Sequence, residues 1–217
     1  MHVIFRETQG LEEADTPIDL RQMPADLVVL SFSDSDLGAF AAGWHQGKEI
    51  LPTLRIANLI ALKHPLSVDT YIDKTLKSAK GILIRLIGGM SYWSYGLQQV
   101  HNLAKQNNIA LAVLPADGRI DAQLDAMSTV PVSTLRQLSQ LCETGGAQAA
   151  KAALAQLTIA AGLYVKPDIG KIVMPRIGGW TDENGITCPA IASFKQDRRP
   201  TIVLSFYRSY LSASDLD

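Results

Sequence analysis

Three almost continuous apolar runs, each separated from the next by a stretch with helical spacing, constrain the fold most strongly. They cover residues 27–32, 82–87 and 109–114. A strand with one solvent-facing side alternates apolar and polar residues, whereas a continuous apolar run indicates burial on both faces, as in a parallel sheet. Residues 53–59 fit a less regular strand between the first two runs, and residues 3–5 fit a short strand near the start.

The segments between these runs predict helices that cross from one strand to the next. Polar residues 33–36 can cap a helix over residues 37–44. A second amphipathic helix is predicted from a cap at Ser67 to Ala79, and a third covers about residues 95–106. This β-α-β-α-β succession with short links predicts an α/β fold, a doubly wound, mostly parallel sheet with helices on both faces.

The later part of the chain is helical at first and then irregular. Residues 133–199 are interpreted as a helical and irregular extension of the α/β domain that residues 1–132 form. Gly145 and Gly146 are expected to divide its helical part into two helices. The irregular part is expected to hold short strands around a turn at residues 183–185.

The last residues, 200–217, are interpreted as the first strand of a following, truncated domain. Residues 201–207 form a β-branched apolar run with almost no chain after it to pair with. An isolated strand is unfavourable, so this pattern favours a fragment cut just inside the next domain. The alternative is that this strand joins the existing sheet as an edge.

Composition excludes several classes of protein. Apolar residues make up 47% and charged residues 19%, which excludes a disordered chain. A formal net charge of −1 argues against a nucleic-acid binder or an anionic-membrane binder. The sequence has neither an apolar stretch of about 18 residues nor a secretory start, so a cytoplasmic protein without a membrane span is expected. Its two cysteines are expected to be inert buried thiols, with a single disulfide left open.

The sequence contains no strong catalytic signature, and no catalytic residue is assigned. It has no phosphate-binding glycine fingerprint, no zinc-protease motif and no nucleophile elbow. The four histidines form no local ligand pair, so no metal site is assigned either. Residues 33–36 could hold a metal or a hydroxylated ligand, but a helix N-terminus explains their acids better.

The most informative segment follows the second apolar run. Gly88 and Gly89 allow a close backbone approach, and Tyr92, Trp93 and Tyr95 follow within a few positions in a chain that is only 6% aromatic. Ligands of open parallel sheets bind beyond the carboxyl ends of the strands, so some of these rings can pack against a planar ligand. A lid of aromatic residues over the sheet edge explains the spacing equally well.

Two arginines are suited to an acidic ligand at the same edge of the sheet. Arg85 lies on the strand just before the glycines and could pair with a carboxylate if it faces the loop end. Arg119 lies in a turn just after the third apolar run, which by itself indicates only a turn.

The ordered set of motifs along nearly the whole chain resembles the N-terminal domain of the cobaltochelatase large subunit, which is related to the large subunit of magnesium chelatase. Each motif is modest, and their order along the chain makes the resemblance specific. The motifs are Phe5-Arg6-Glu7-Thr8, Gly10-Leu11-Glu12-Glu13, residues 24–37, Arg55-Ile56-Ala57-Asn58-Leu59, His64-Pro65-Leu66-Ser67-Val68-Asp69, Arg85-Leu86-Ile87-Gly88-Gly89, Tyr92-Trp93, Tyr95-Gly96 and Phe206-Tyr207-Arg208.

The resemblance implies a ligase that forms metal–nitrogen bonds, inserting Co²⁺ as substrate into hydrogenobyrinic acid a,c-diamide during cobalamin biosynthesis. ATP with Mg²⁺ is then hydrolysed by separate AAA+ partner subunits, which agrees with the missing nucleotide loop. The fragment alone is expected to be inactive and to form part of the enclosure around the corrinoid. The residues expected to contact it are Arg85, Gly88, Gly89, Tyr92, Trp93 and Tyr95, followed by His64, Asp69 and Arg119.

Two other functions stay open at this point. One is a non-catalytic docking domain that binds partner chains or the rest of its own subunit without touching the ligand. The other is a free-standing protein that binds a tetrapyrrole.

Overall fold

The computed structural model describes residues 16–165 together with two short strands at residues 179–181 and 185–187. Its main sheet has four parallel strands in the order β2-β1-β3-β4, so the doubly wound α/β prediction is confirmed. Strand β1 lies between its two neighbours in matched register, since Leu27 faces Leu54 on one side and Gly81 on the other. The strands are β1 (Leu27–Ser31), β2 (Leu54–Asn58), β3 (Gly81–Leu86) and β4 (Ala110–Pro115).

Helices cover both faces of this sheet, which explains why β1, β3 and β4 are buried along their whole length. On one face, Val28 and Ile84 pack against the layer of α2, α3 and α4. On the other, Val29 and Leu83 pack against the layer of α1, α5 and α6. The helices are α1 (Asp34–Gly47), α2 (Pro65–Lys74), α3 (Ser94–Asn107), α4 (Ala122–Ala126), α5 (Val132–Thr144) and α6 (Gly146–Ala160).

The predicted helix from Ser67 to Ala79 was wrong at both ends. Pro65 occupies the first turn, where its missing N–H costs nothing, and His64 is the cap, its Nδ1 accepting from the Leu66 N–H at 3.1 Å. Ser67 is buried instead and accepts a hydrogen bond from the backbone of the 16–24 segment. The helix ends at Lys74, and a separate 3₁₀ turn follows at Leu76–Ser78.

Other helix boundaries follow the sequence more closely. The helix predicted over residues 37–44 is longer at both ends, Asp34–Gly47, and of the proposed capping residues Ser33 is the cap, its hydroxyl accepting from the Asp36 N–H at 3.3 Å. Asn108 adopts the left-handed conformation that ends α3. The break between α5 and α6 falls at Gly145, as predicted. The short helix α4 was missed, because its five residues are too few to show a helical period.

The irregular part of the chain contains a small two-stranded sheet. Strands β5 (Gly179–Thr181) and β6 (Gly185–Thr187) pair antiparallel, which confirms the expected short strands around residues 183–185. The predicted strands at residues 3–5 and 201–207 lie outside the described residues, as does the segment interpreted as a following domain. Among the residues that are described, no helix is both long and apolar enough to cross a membrane.

The contact between α1 and α6 leaves no room for a side chain at Gly43. A β-carbon there would lie 2.6 Å from the backbone carbonyl of Ala147 and 2.6 Å from the backbone nitrogen of Lys151. We expect Gly43→Ala to lower the free energy of unfolding by about 1–3 kcal/mol through overpacking, although alanine is the better helix former. The exposed Gly38 on the same helix is the control, and Gly38→Ala should stabilise by up to about 1 kcal/mol. Urea unfolding curves measure the free energy of unfolding of both variants. A change of the same sign in both would contradict the close packing at Gly43.

Candidate functional site

The candidate site is the crevice between the carboxyl ends of β1 and β3. From β1 the chain crosses through α1 to β2, and it then returns through α2 over the opposite face to β3. The segments leaving β1 and β3 therefore turn to opposite faces of the sheet, and we call the edge between these two strand ends the crevice. This is the topological switch point at which open α/β sheets bind their ligands.

A hydrogen-bonded ionic network lies at the base of this crevice. The Arg85 guanidinium forms an ion pair with Asp36 in the first turn of α1, and the Ser31 hydroxyl donates to the other Asp36 oxygen at 2.8 Å. Ser31 and Arg85 face each other in register across β1 and β3. Arg85 Nη2 also donates to the carbonyl of Ala116, just beyond β4, at 3.3 Å. The network thus connects all three strand ends of this part of the sheet.

Arg85 is not open to a ligand in this arrangement. Its relative exposure is only 6%, and Asp36 already supplies the carboxylate partner that a ligand was expected to supply. The residue faces the α1 side of the sheet, as its alternation with Leu83 requires. The structure therefore places Arg85 beneath the crevice and not on its surface.

The two glycines and Tyr92 form the part of the crevice wall that follows β3. Gly88 and Gly89 have φ of +81° and +79°, a region that L side chains rarely adopt. A β-carbon on Gly88 would overlap the ring of Tyr92, so that ring lies directly over the glycine backbone. Tyr92 itself is 66% exposed, which leaves much of its ring available for contact with a ligand or partner.

Trp93 points the other way and belongs to the core. It is 5% exposed, and its indole N–H donates to the carbonyl of Leu62 at 2.8 Å. Its ring packs against Gly96, where any β-carbon would overlap it. The expectation that the three aromatic residues do not all enter one core is met, with Trp93 inside and Tyr92 outside.

Tyr95 and Asp69 are hydrogen-bonded on the side of α2 and α3, and His64 lies at the start of α2. The Tyr95 hydroxyl donates to Asp69 at 2.8 Å, and this hydrogen bond to a carboxylate raises the pKa of Tyr95. His64 caps α2, the helix that carries Asp69. Arg119 stands apart in the loop after β4, where it is exposed and 3.5 Å from Asp117. The predicted site residues thus share the carboxyl edge of the sheet but do not form one cluster.

Sequence reasoning missed that the carboxyl edge is rimmed by exposed apolar side chains. Each follows a strand or starts the next helix, so the parallel topology brings them to one end of the sheet. Their common position becomes visible only when the strands are known to run parallel. The members of this apolar rim are Ile60, Leu66, Ile87, Tyr92, Tyr95 and Ile120.

The network of Ser31, Asp36 and Arg85 was also missed as a unit, although the sequence contained a signal for it. Ser31 and Arg85 are the polar interruptions of two apolar runs, each at the fifth position of its strand. Two polar residues at matched positions of neighbouring strands predict a shared partner, because each would otherwise be buried without one.

Metal and thiol chemistry find little support in the described residues. In residues 16–165 no three histidine, cysteine or carboxylate side chains come together as a metal site would need. Burial raises the pKa of the Cys142 thiol to about 11, so this cysteine is protonated and weakly nucleophilic at neutral pH. Cys188 lies outside the described part of the chain.

The fold defines the class of this protein as an open, doubly wound α/β domain with its topological switch point between β1 and β3. The solved catalytic subunit of cobaltochelatase from Mycobacterium tuberculosis shares the fold, with a TM-score of 0.56 and 21% identity over 87% of this chain and 14% of that one. No family model matches the sequence.

Two curated relatives extend this likeness to the sequence. The aerobic cobaltochelatase subunit CobN of a Sinorhizobium species is 31% identical over 223 residues, and that of Pseudomonas aeruginosa is 30% identical over 230 residues. Each alignment covers 99% of this chain but only 17% of the relative, so the chain spans about a sixth of their length. The resemblance to the cobaltochelatase large subunit that the motifs predicted is confirmed.

Proposed function

We propose that this chain is a segment of a cobaltochelatase large subunit and that it forms part of the enclosure around the corrin substrate. The substrate is hydrogenobyrinic acid a,c-diamide, into which the whole enzyme inserts Co²⁺ during cobalamin biosynthesis. Similarity to CobN over 99% of the chain supports the assignment to the subunit. The exposed Tyr92 ring over Gly88, at the switch point, supports the contact with a ligand.

The apolar rim suits one face of a planar macrocycle. Aromatic rings and aliphatic side chains gain free energy by removing flat apolar surface from water, and ligand sites are lined mainly by such groups. Tyr92 and Ile87 lie on the wall that follows β3, and Ile120 lies on the loop after β4. A macrocycle that covers this edge of the sheet would contact both segments.

Polar groups of the macrocycle need partners at the edge of the same surface. Arg119 is the exposed arginine of the carboxyl edge and is suited to a side-chain carboxylate of the corrinoid. Tyr95, Asp69 and His64 are the next candidates, on the side of α2. Arg85 and Trp93 then support this surface from below and do not contact the ligand directly.

The remaining steps of the reaction are assigned to other parts of the assembly. We infer that AAA+ partner subunits bind and hydrolyse ATP with Mg²⁺, since the sequence carries no nucleotide-binding loop. Co²⁺ enters as substrate, and the segment alone does not insert it. The proposed location is the cytoplasm.

Titration with a metal-free corrinoid tests the proposal. We expect the absorbance spectrum of hydrogenobyrinic acid a,c-diamide to change saturably when this chain is added. Tyr92→Ala should weaken binding about fivefold with the fold intact, because a stacked ring contributes about 1 kcal/mol. Tyr164→Ala is the matched control, since this tyrosine is 93% exposed and follows α6, whose end lies against Gly81 at the opposite end of the sheet.

A docking module is the second candidate, and the apolar rim also favours it. Exposed apolar side chains at one end of a sheet gain free energy when a partner chain covers them. In that case, saturating corrinoid would leave the spectrum unchanged, and Tyr92→Ala would weaken assembly with the other chelatase chains. Equal corrinoid binding by the two tyrosine variants would remove the role proposed for Tyr92.

A further inference from the structure

We propose that Arg85 is a positioning residue that fixes the distance between two segments at the carboxyl edge of the sheet, one on each side of β3. One segment is residues 32–36, which lead from β1 into the first turn of α1, and the other is the loop after β4, residues 116–121. The consequence for ligand capture rests on the function proposed above. We call the connection from Asp36 through Arg85 to Ala116 the clamp, and it can be tested without any ligand.

The position of Arg85 in the sheet makes this connection possible. Strand β3 lies between β1 and β4, so a side chain near its carboxyl end can reach both neighbours. Nη1 of Arg85 meets Asp36 on the β1 side, and Nη2 meets the carbonyl of Ala116 on the β4 side. The planar, forked guanidinium provides two donors at a fixed separation, which the single ammonium of a lysine cannot do.

The network is better suited to holding geometry than to adding stability. Burying both charges costs desolvation free energy, and a well-packed apolar pair is often at least as stable. Arg85 Nε is buried without a hydrogen-bond partner among the described groups, so the side chain does not satisfy all its own donors. Its two terminal nitrogens instead donate to the two segments at this edge of the sheet.

A fixed distance between the two segments matters for a rigid, flat ligand. Binding surfaces that are already in the bound geometry avoid the cost of ordering loops on binding. The Ser31 hydroxyl also donates to Asp36. Asp36 is therefore bonded to β1 through Ser31 and to β3 through Arg85. Loss of the clamp should therefore weaken capture while the ligand contacts themselves remain.

Hydrogen exchange on the full chain tests the clamp. The double variant Arg85→Met with Asp36→Leu removes both charges together, so neither is left buried and unpaired. We expect amides of residues 32–36 and 116–121 to exchange roughly tenfold faster, with strand amides of β1 and β3 unchanged. Arg85→Lys should free only residues 116–121, because the lysine keeps its pairing with Asp36. Unchanged exchange in both loops, or equal acceleration throughout the sheet, would overturn the clamp.

Corrinoid titration of the same variants separates this inference from the proposed function. If the wild-type chain binds, the double variant should bind at least fivefold more weakly and reach the same spectrum at saturation. Equal affinity of wild type and double variant would overturn the role of Arg85 in capture. If the wild-type chain does not bind the corrinoid, the proposed function fails, and the exchange result still decides the clamp.

Discussion

Trp93→Ala is expected to lower the free energy of unfolding by about 3–5 kcal/mol, the usual cost of removing a large buried aromatic side chain. Trp93 packs in the same apolar cluster as Leu97 and Val100 of α3, on the face of the sheet that α2 and α3 cover. Its removal leaves a cavity beside Gly96 and deprives the Leu62 carbonyl of its donor. Urea unfolding followed by circular dichroism at several denaturant concentrations measures the loss.

The neighbouring Tyr92 provides the control for this experiment. Because Tyr92 is 66% exposed, Tyr92→Ala should lower the free energy of unfolding by less than about 1 kcal/mol. A second variant, Trp93→Phe, keeps most of the volume but loses the N–H donor, and it should fall between the two. A loss below about 1 kcal/mol for Trp93→Ala would mean that this ring is not part of the core.

The pair of adjacent aromatic residues also shows how far sequence reasoning could reach. The spacing of Tyr92, Trp93 and Tyr95 established that the rings diverge, because they cannot all face one side of a helix start. It could not establish which ring is buried. That depends on the Leu62 carbonyl, more than thirty positions earlier in the chain. The choice is made by tertiary packing between α2 and α3, which has no local signal.

The strands were predictable because their signal is local. Each buried strand is an apolar run whose character depends on its own residues, and β1, β3 and β4 fall within one residue or so of the predicted limits. The helix from Pro65 was harder, since both His64 and Ser67 are plausible caps in isolation. Ser67 is withdrawn from that role by a hydrogen bond to the Ile18 backbone, a contact between distant segments. Boundaries fail where a distant partner competes for a local cap.

The same limit explains the different positions of the candidate site residues. The carboxyl edge as a whole could be predicted from the succession of strands and helices, because parallel strands end together. The pairing of Arg85 with Asp36 was harder to predict, because the place of Asp36 at a helix N-terminus already explained its acidic side chain. Asp36 in fact does both, lying in the first turn of α1 and receiving a hydrogen bond from Ser31.

Arg85→Ala should be among the most destabilising single substitutions at the crevice, with a loss of about 3–5 kcal/mol in the free energy of unfolding. Removing one partner of a buried ion pair leaves the other charge without compensation in a poorly hydrated site. Here the abandoned group is the Asp36 carboxylate, which would keep only the Ser31 hydroxyl and solvent contact at its partly exposed side. The measurement is again urea unfolding at neutral pH.

The double variant Arg85→Met with Asp36→Leu should recover most of that loss, because it removes the unpaired charge and fills the space with apolar atoms. The exposed ion pair of Lys74 with Asp19 provides a comparison, and Lys74→Ala should cost less than about 1 kcal/mol. A double variant as unstable as Arg85→Ala would show that the network contributes stability through more than its charge pairing. A positioning role for Arg85 requires that stability and site geometry can be separated. The double variant separates them if it regains the free energy of unfolding while the amides of residues 32–36 and 116–121 exchange faster.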